Sequence, residues 1–133
     1  MMKRAGLTGL LAIALSVIGS PATAIENSLK RQFLRLDPAT RLEQLCDHEV
    51  MQSIIKDKNA YNPDKVIAYT FDEPVMGDHT LKAPGAVFRS RGDWYHLSFR
   101  CKANTKNIEV RSLQYNIGEM VPREKWTKYY LYD

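Results

Sequence analysis

Arg89, Arg91, Trp94, His96 and Arg100 lie close together in the chain and have the side chains needed to recognise an anionic group. Guanidinium forks match the paired oxygens of carboxylates and phosphates. Arginine beside an aromatic ring is also a composition common at binding hot spots. Arg89, Ser90, Arg91 and Trp94 surround one turn, while His96, Ser98 and Arg100 follow along one face of the next strand. The competing expectation is an ordinary solvated polar face with edge charges.

Glu49 is a second candidate, because the helical wheel sets its carboxylate between Leu45 and Cys46 on the apolar arc. A carboxylate there needs a cationic partner or a raised pKa. The expected arrangement is a buried ion pair with Arg89, Arg91, Arg100 or Arg111; a rim position with the carboxylate in water and a functional acid or ligand contact are the alternatives. Asp47, His48 and Glu49 are adjacent, and neighbours on a helix point about 100° apart, so they do not converge on a metal. His79 and His96 fall in separate strands, and nothing in their spacing brings them together. Neither a G-x-S-x-G motif nor a Gly-rich phosphate loop occurs. No catalytic residue, metal ligand or cofactor is assigned.

Cys46 and Cys101 are the two cysteines, and no C-x-x-C is present. In an oxidising compartment they have one intramolecular pairing open to them. Closing a loop of this length stabilises a fold by ~4 kcal/mol in the chain-entropy model. Two free buried thiols, or a redox or metal role, are the alternatives.

Export is what licenses that bridge. Lys3-Arg4 precede an apolar run from Leu7 to Ile18, then Pro21 and the small residues Ala22-Thr23-Ala24. This is the three-part layout of a secretory signal peptide. The run spans only ~18 Å as a helix, short of a ~30 Å hydrocarbon core. The expectation is residues 1–24 as a cleaved signal peptide, 25–133 as one mature domain, and no transmembrane segment after cleavage. Without Lys3 and Arg4, 17 basic residues face 15 acidic ones. So small an excess argues against nucleic acid as a partner.

The elements follow from periodicity. Leu29, Phe33 and Leu36 predict a helix over 27–36, and Asp37-Pro38 opens a second over 38–57 with Leu42, Leu45, Cys46, Val50 and Ile54 on one face. From Lys65 the period becomes two. Strands are predicted at Lys65–Asp72, His79–Ala83, Ala86–Arg91, Trp94–Lys102 and Ile108–Ile117, with a bulge between Val110 and Leu113. A short C-terminal helix opens at Pro122, and Trp126, Tyr129, Tyr130 and Tyr132 are expected to pack it on the sheet edge. The alternative for these rings is a docking segment or a saccharide platform. The fold class is α+β, with N-terminal helices on an antiparallel β-meander of four to five strands. Laying the 38–57 helix on the apolar sheet face brings Cys46 toward Cys101 and leaves the opposite face free.

Several segments carry a resemblance: Leu45-Cys46-x-x-Glu49-x-Met51, Pro63-Asp64-x-Val66-Ile67-Ala68-Tyr69, Ala83-Pro84-Gly85-Ala86-x-Phe88-Arg89-Ser90-Arg91-Gly92-x-Trp94-Tyr95, and Ile117-Gly118-x-x-x-Pro122-Arg123-x-x-Trp126-x-x-Tyr129. From about Leu36 to Asp133 the chain resembles domain-of-unknown-function family 930, a group of uncharacterised exported bacterial proteins. The resemblance implies an exported single domain and carries no activity, cofactor or catalytic residue. The expectation is therefore a periplasmic or secreted non-enzymatic module that binds an envelope protein or an anionic envelope component. The alternatives are a small envelope hydrolase or lyase using Glu49 or a histidine, and a structural subunit of an envelope complex.

Overall fold

The computed structural model describes residues 21–58 and 60–133. The apolar run at 7–18 lies outside the described residues. Two helices come first, α1 (Pro21–Phe33) and α2 (Pro38–Asp57). Five strands follow: β1 (Pro63–Ile67), β2 (Val75–Met76), β3 (Thr80–Ser90), β4 (Asp93–Ala103) and β5 (Val110–Met120). The chain ends in two 3₁₀ turns, Arg123–Lys125 and Thr127–Tyr129. Helices before an antiparallel sheet make the fold α+β.

The start of α2 is set by Asp37, whose Oδ1 accepts the Thr40 N–H at 3.0 Å, with Pro38 in the first turn. Its predicted face, Leu42, Leu45, Cys46, Val50 and Ile54, is buried. The first helix was expected to reach residue 36 but stops at Phe33. The carbonyls at and just beyond its C-terminus are taken up by Arg41, which donates to Phe33 O at 3.0 Å and Leu36 O at 2.8 Å. One guanidinium thereby closes the turn that folds α1 back on α2.

The sheet order is β1-β3-β4-β5, with β2 also paired to β3. The two strands expected on either side of Pro84-Gly85 are in fact the single strand β3, with a register shift against β4 between Ala83 and Ala86. A bulge is where a strand tolerates proline. On the other edge of β3, Val66 pairs with Phe88 and Val75 with Lys82, so β1 and β2 are two pieces of one interrupted edge strand. Between them Phe71 N donates to Gly85 O at 2.8 Å. A Cβ at Gly85 would collide with the backbone N of Asp72, so this approach needs glycine. The expected strand Lys65–Asp72 ends at Ile67 for the same reason: the chain turns inward here to follow the bulge.

At the β3–β4 hairpin, Arg91 and Gly92 both have positive φ, 49° and 83°, as a two-residue type I′ turn requires. The bulge expected in the last strand is present, since Lys102 pairs with Ser112 but Ala103 with Val110. β5 runs past the expected end at Ile117, through Gly118 to Met120.

Two apolar cores result. The larger lies between α2 and one sheet face, around Leu42, Val50, Ile54, Phe88, Leu97 and Phe99. Cys46 and Cys101 are joined within it as a disulfide, their Cα atoms 6.0 Å apart. The smaller lies on the opposite face, where Val121, Trp126 and Leu131 cover Val87 and Trp94. The C-terminal segment therefore packs on the outer face of the sheet rather than along its edge. Trp126 donates its Nε1–H to Val121 O at 3.0 Å, while Tyr130 and Tyr132 remain exposed.

Candidate functional site

The C-terminal cover divides the predicted Arg/Trp/His surface. Trp94 is 2% exposed and donates its indole N–H to Tyr132 O at 2.7 Å. Arg89, directly across the ladder from Trp94, sits over its ring at 5.5 Å. The Arg89 guanidinium donates to both Asp64 oxygens, at 2.9 and 3.1 Å. That charge-assisted pair holds the Asp64 carboxyl below its ordinary pKa, the side-chain hydrogen bond being the largest cause. His96 stacks on Phe71 at 4.5 Å, and Phe71 meets Tyr129 at 4.4 Å. Arg91 donates to Ala60 O at 2.8 Å. Four of the five predicted binding residues thus make internal contacts, although Arg91 stays exposed and His96 half-buried. Arg100 is exposed and has no hydrogen-bond or ion-pair partner among the described residues.

Around Arg100 the outer face is open and basic. Lys82 is its direct cross-strand neighbour on β3, and Lys102 lies two residues along β4 opposite Thr80. On the β5 side Arg100 faces Gln114, Ser98 faces Asn116, and Lys102 faces Ser112. Two shallow hollows of about 320 and 350 Å³ adjoin here and share Lys82, Arg100 and Gln114. No carboxylate lines either hollow. Like charges directly opposite on a ladder repel, so this face is electrostatically incomplete as it stands. The sequence pattern places Arg100 on the right face but gives no sign of Lys82, because their pairing depends on the β3 bulge.

Glu49 differs from its expected role. It is half-buried and forms no ion pair among the described residues. The proposed partners are elsewhere: Arg89 on Asp64, Arg91 on a carbonyl, Arg111 at 3.8 Å from Glu109, and Arg100 on the outer face. The unusual carboxyl of α2 is Asp47, itself half-buried. Its Oδ1 is sealed from solvent without a hydrogen-bond partner. Loss of hydration, aided by Glu43 nearby, raises its pKa to about 8. It lines a cleft of about 550 Å³ between the helices and β1, beside Phe33, Glu43, His48 and Val66. A wheel that measures one apolar face misses Asp47, because α1 and β1 cover a second flank of α2.

Two other polar residues prove structural. Asn107, at φ 52° and 3% exposed, donates to Pro38 O at 3.1 Å and bonds His79 Nδ1 through its Oδ1 at 2.9 Å. It ties the start of α2 to the β2–β3 hairpin. His79 is accordingly engaged there, and His48 lies edge-on to Phe33 at 6.4 Å. Among the described residues, no three of His, Cys, Asp and Glu converge as metal ligands. No described helix is long and apolar enough to cross a membrane.

The model of one family, described as Domain of Unknown Function (DUF930), matches residues 33–131. No curated protein and no solved structure matches the chain.

Proposed function

The chain belongs to the family described as Domain of Unknown Function (DUF930), and from that premise we propose that it is an exported, non-enzymatic envelope module that binds an anionic group on its outer sheet face. The observation that carries this reading is the trio Lys82, Arg100 and Lys102, in register on β3 and β4 and without partners among the described residues. A phosphate or carboxylate bound there relieves their mutual repulsion, and Gln114, Asn116 and Ser98 supply neutral hydrogen-bonding groups beside it. Export is supported by the basic start, apolar run and small residues of the first 24 positions. The Cys46–Cys101 bridge is in keeping with an oxidising compartment such as the periplasm or the exterior.

Titration with tripolyphosphate and with citrate, followed through backbone amide NMR shifts, tests the site. Shifts should centre on Lys82, Arg100, Lys102 and Gln114, weaken with added salt, and vanish in Lys82→Ala/Arg100→Ala. No response, or one centred on residues 64–69, would overturn the reading.

The Asp47 cleft favours a second reading, a small hydrolase or lyase. A carboxyl with a pKa near 8 retains its proton at neutral pH and is a candidate general acid. Glu49 is replaced in that role. The sealed position of Oδ1 argues for the binding module over this alternative.

A further inference from the structure

β5 ends the sheet, and its second edge has no strand paired to it among the described residues. It is an eleven-residue strand with neither proline nor lysine. Proteins commonly blunt an exposed edge with charges, prolines or bulges, because its free N–H and C=O groups template another strand. Here the irregularities lie at the two ends of β5, and the register from Ser112 to Ile117 is unbroken.

The order of residues along this strand is complementary to itself. An antiparallel pairing with a second copy, centred on Tyr115, puts Arg111 opposite Glu119, Leu113 opposite Ile117, and Gln114 opposite Asn116. Two-fold symmetry repeats each pair, so opposite charges meet at both ends. Arg111 and Glu119 are both exposed. Among the described residues Arg111 pairs only with Glu109, at 3.8 Å, and Glu119 has no ion pair. The register also preserves the faces. The half-buried Leu113, Tyr115 and Ile117 meet one another, as do the exposed Gln114 and Asn116.

A slip of one residue would oppose apolar to polar side chains. A slip of two in one direction sets Glu119 against Glu109, and in the other sets Arg111 against the buried Val121. Only the Tyr115-centred register satisfies both charge and face.

We propose that two copies of this chain associate through β5 in that register, forming one continuous sheet across a two-fold axis. The occupant of the edge is a second copy because the charges and faces of the strand complement its own reversed order. The inference does not depend on the anionic ligand. Its consequence for that site is geometric: the two outer faces become contiguous, with β4 of each copy ~14 Å apart across three strand spacings.

Sedimentation velocity of the purified protein, with Arg111→Glu and Glu119→Arg variants, provides the test. The wild type should dimerise with rising concentration. Each single variant should self-associate more weakly by about tenfold or more, since both symmetric pairs become repulsive. An equimolar mixture of the two should recover dimers, because every 111–119 contact in the heterodimer is again of opposite sign. The Arg111→Glu/Glu119→Arg chain should recover them alone. Amide exchange in wild-type β5 should slow as concentration rises, a readout independent of how any variant folds. A wild type that stays monomeric, β5 amides insensitive to concentration, single variants that dimerise normally, or folded variants whose mixture stays monomeric would each overturn the proposal.

Discussion

Asp47 carries the largest electrostatic penalty described in this fold. Its carboxyl loses water on burial and gains no hydrogen bond at Oδ1, so the folded chain holds its proton up to about pH 8. An unfolded chain releases that proton near the ordinary aspartate value of 3.8. The folded pKa is thus the higher one. The stability linked to this proton is whole below the unfolded value and declines as pH rises toward the folded one. Asp47→Asn keeps the shape and removes the ionisation. It should raise stability at pH 8 by on the order of 1–3 kcal/mol and flatten the pH dependence between roughly pH 4 and 8. Urea denaturation of both proteins at pH 5 and pH 8 measures this, and a variant no more stable than wild type at pH 8 would contradict it. At this scale the sequence is least transparent. Periodicity marks Glu49 as the anomalous acid, yet the one with a sealed, unpartnered oxygen is two residues earlier, under a flank that α1 and β1 create.

Among the elements, the C-terminal segment does most to set which surface is free. Pro122 opens a pair of 3₁₀ turns that bring Trp126 and Leu131 down over Trp94 and Val87. Trp126 is 6% exposed, and Arg123 sits over its ring at 4.6 Å. Trp126→Ala should cost about 3–5 kcal/mol by leaving a cavity over Trp94. The remaining indole should then emit at longer wavelength as water reaches it, and an unshifted spectrum with wild-type stability would show that the cover is dispensable. The start of this tail is legible in Pro122 and the aromatic run from Trp126. Its docking surface is not, because it belongs to strands laid down some thirty residues earlier. The same holds for β3: proline and glycine read as a break, whereas the neighbouring ladders carry the strand through as a bulge.

For the molecule as a whole, the disulfide and the proposed export stand or fall together. Mass spectrometry of the native product should show a chain beginning at Ile25, with Cys46 and Cys101 resistant to alkylation until reduced. A chain that keeps its first 24 residues, or two reactive thiols without reductant, would remove the envelope from the account. Signal cleavage would shorten α1 at its N-terminal end and leave α2, where the bridge is anchored, untouched.

Helix, strand and turn types were readable from the chain, as was the Cys46–Cys101 pairing, because each depends on a short-range repeat that sets one side of an element toward apolar surroundings. The α2 face, the alternation along β4 and the bulge in β5 all follow from that rule. Tertiary structure alone decided which polar groups still meet water. Trp94 and His96 point outward from β4 as the alternation requires, yet the returning C-terminus covers Trp94, Phe71 packs on His96, and Arg100 is left with Lys82 and Lys102. Solvation is a property of everything that packs around a side chain, and no local spacing records a neighbour that arrives from the far end of the chain.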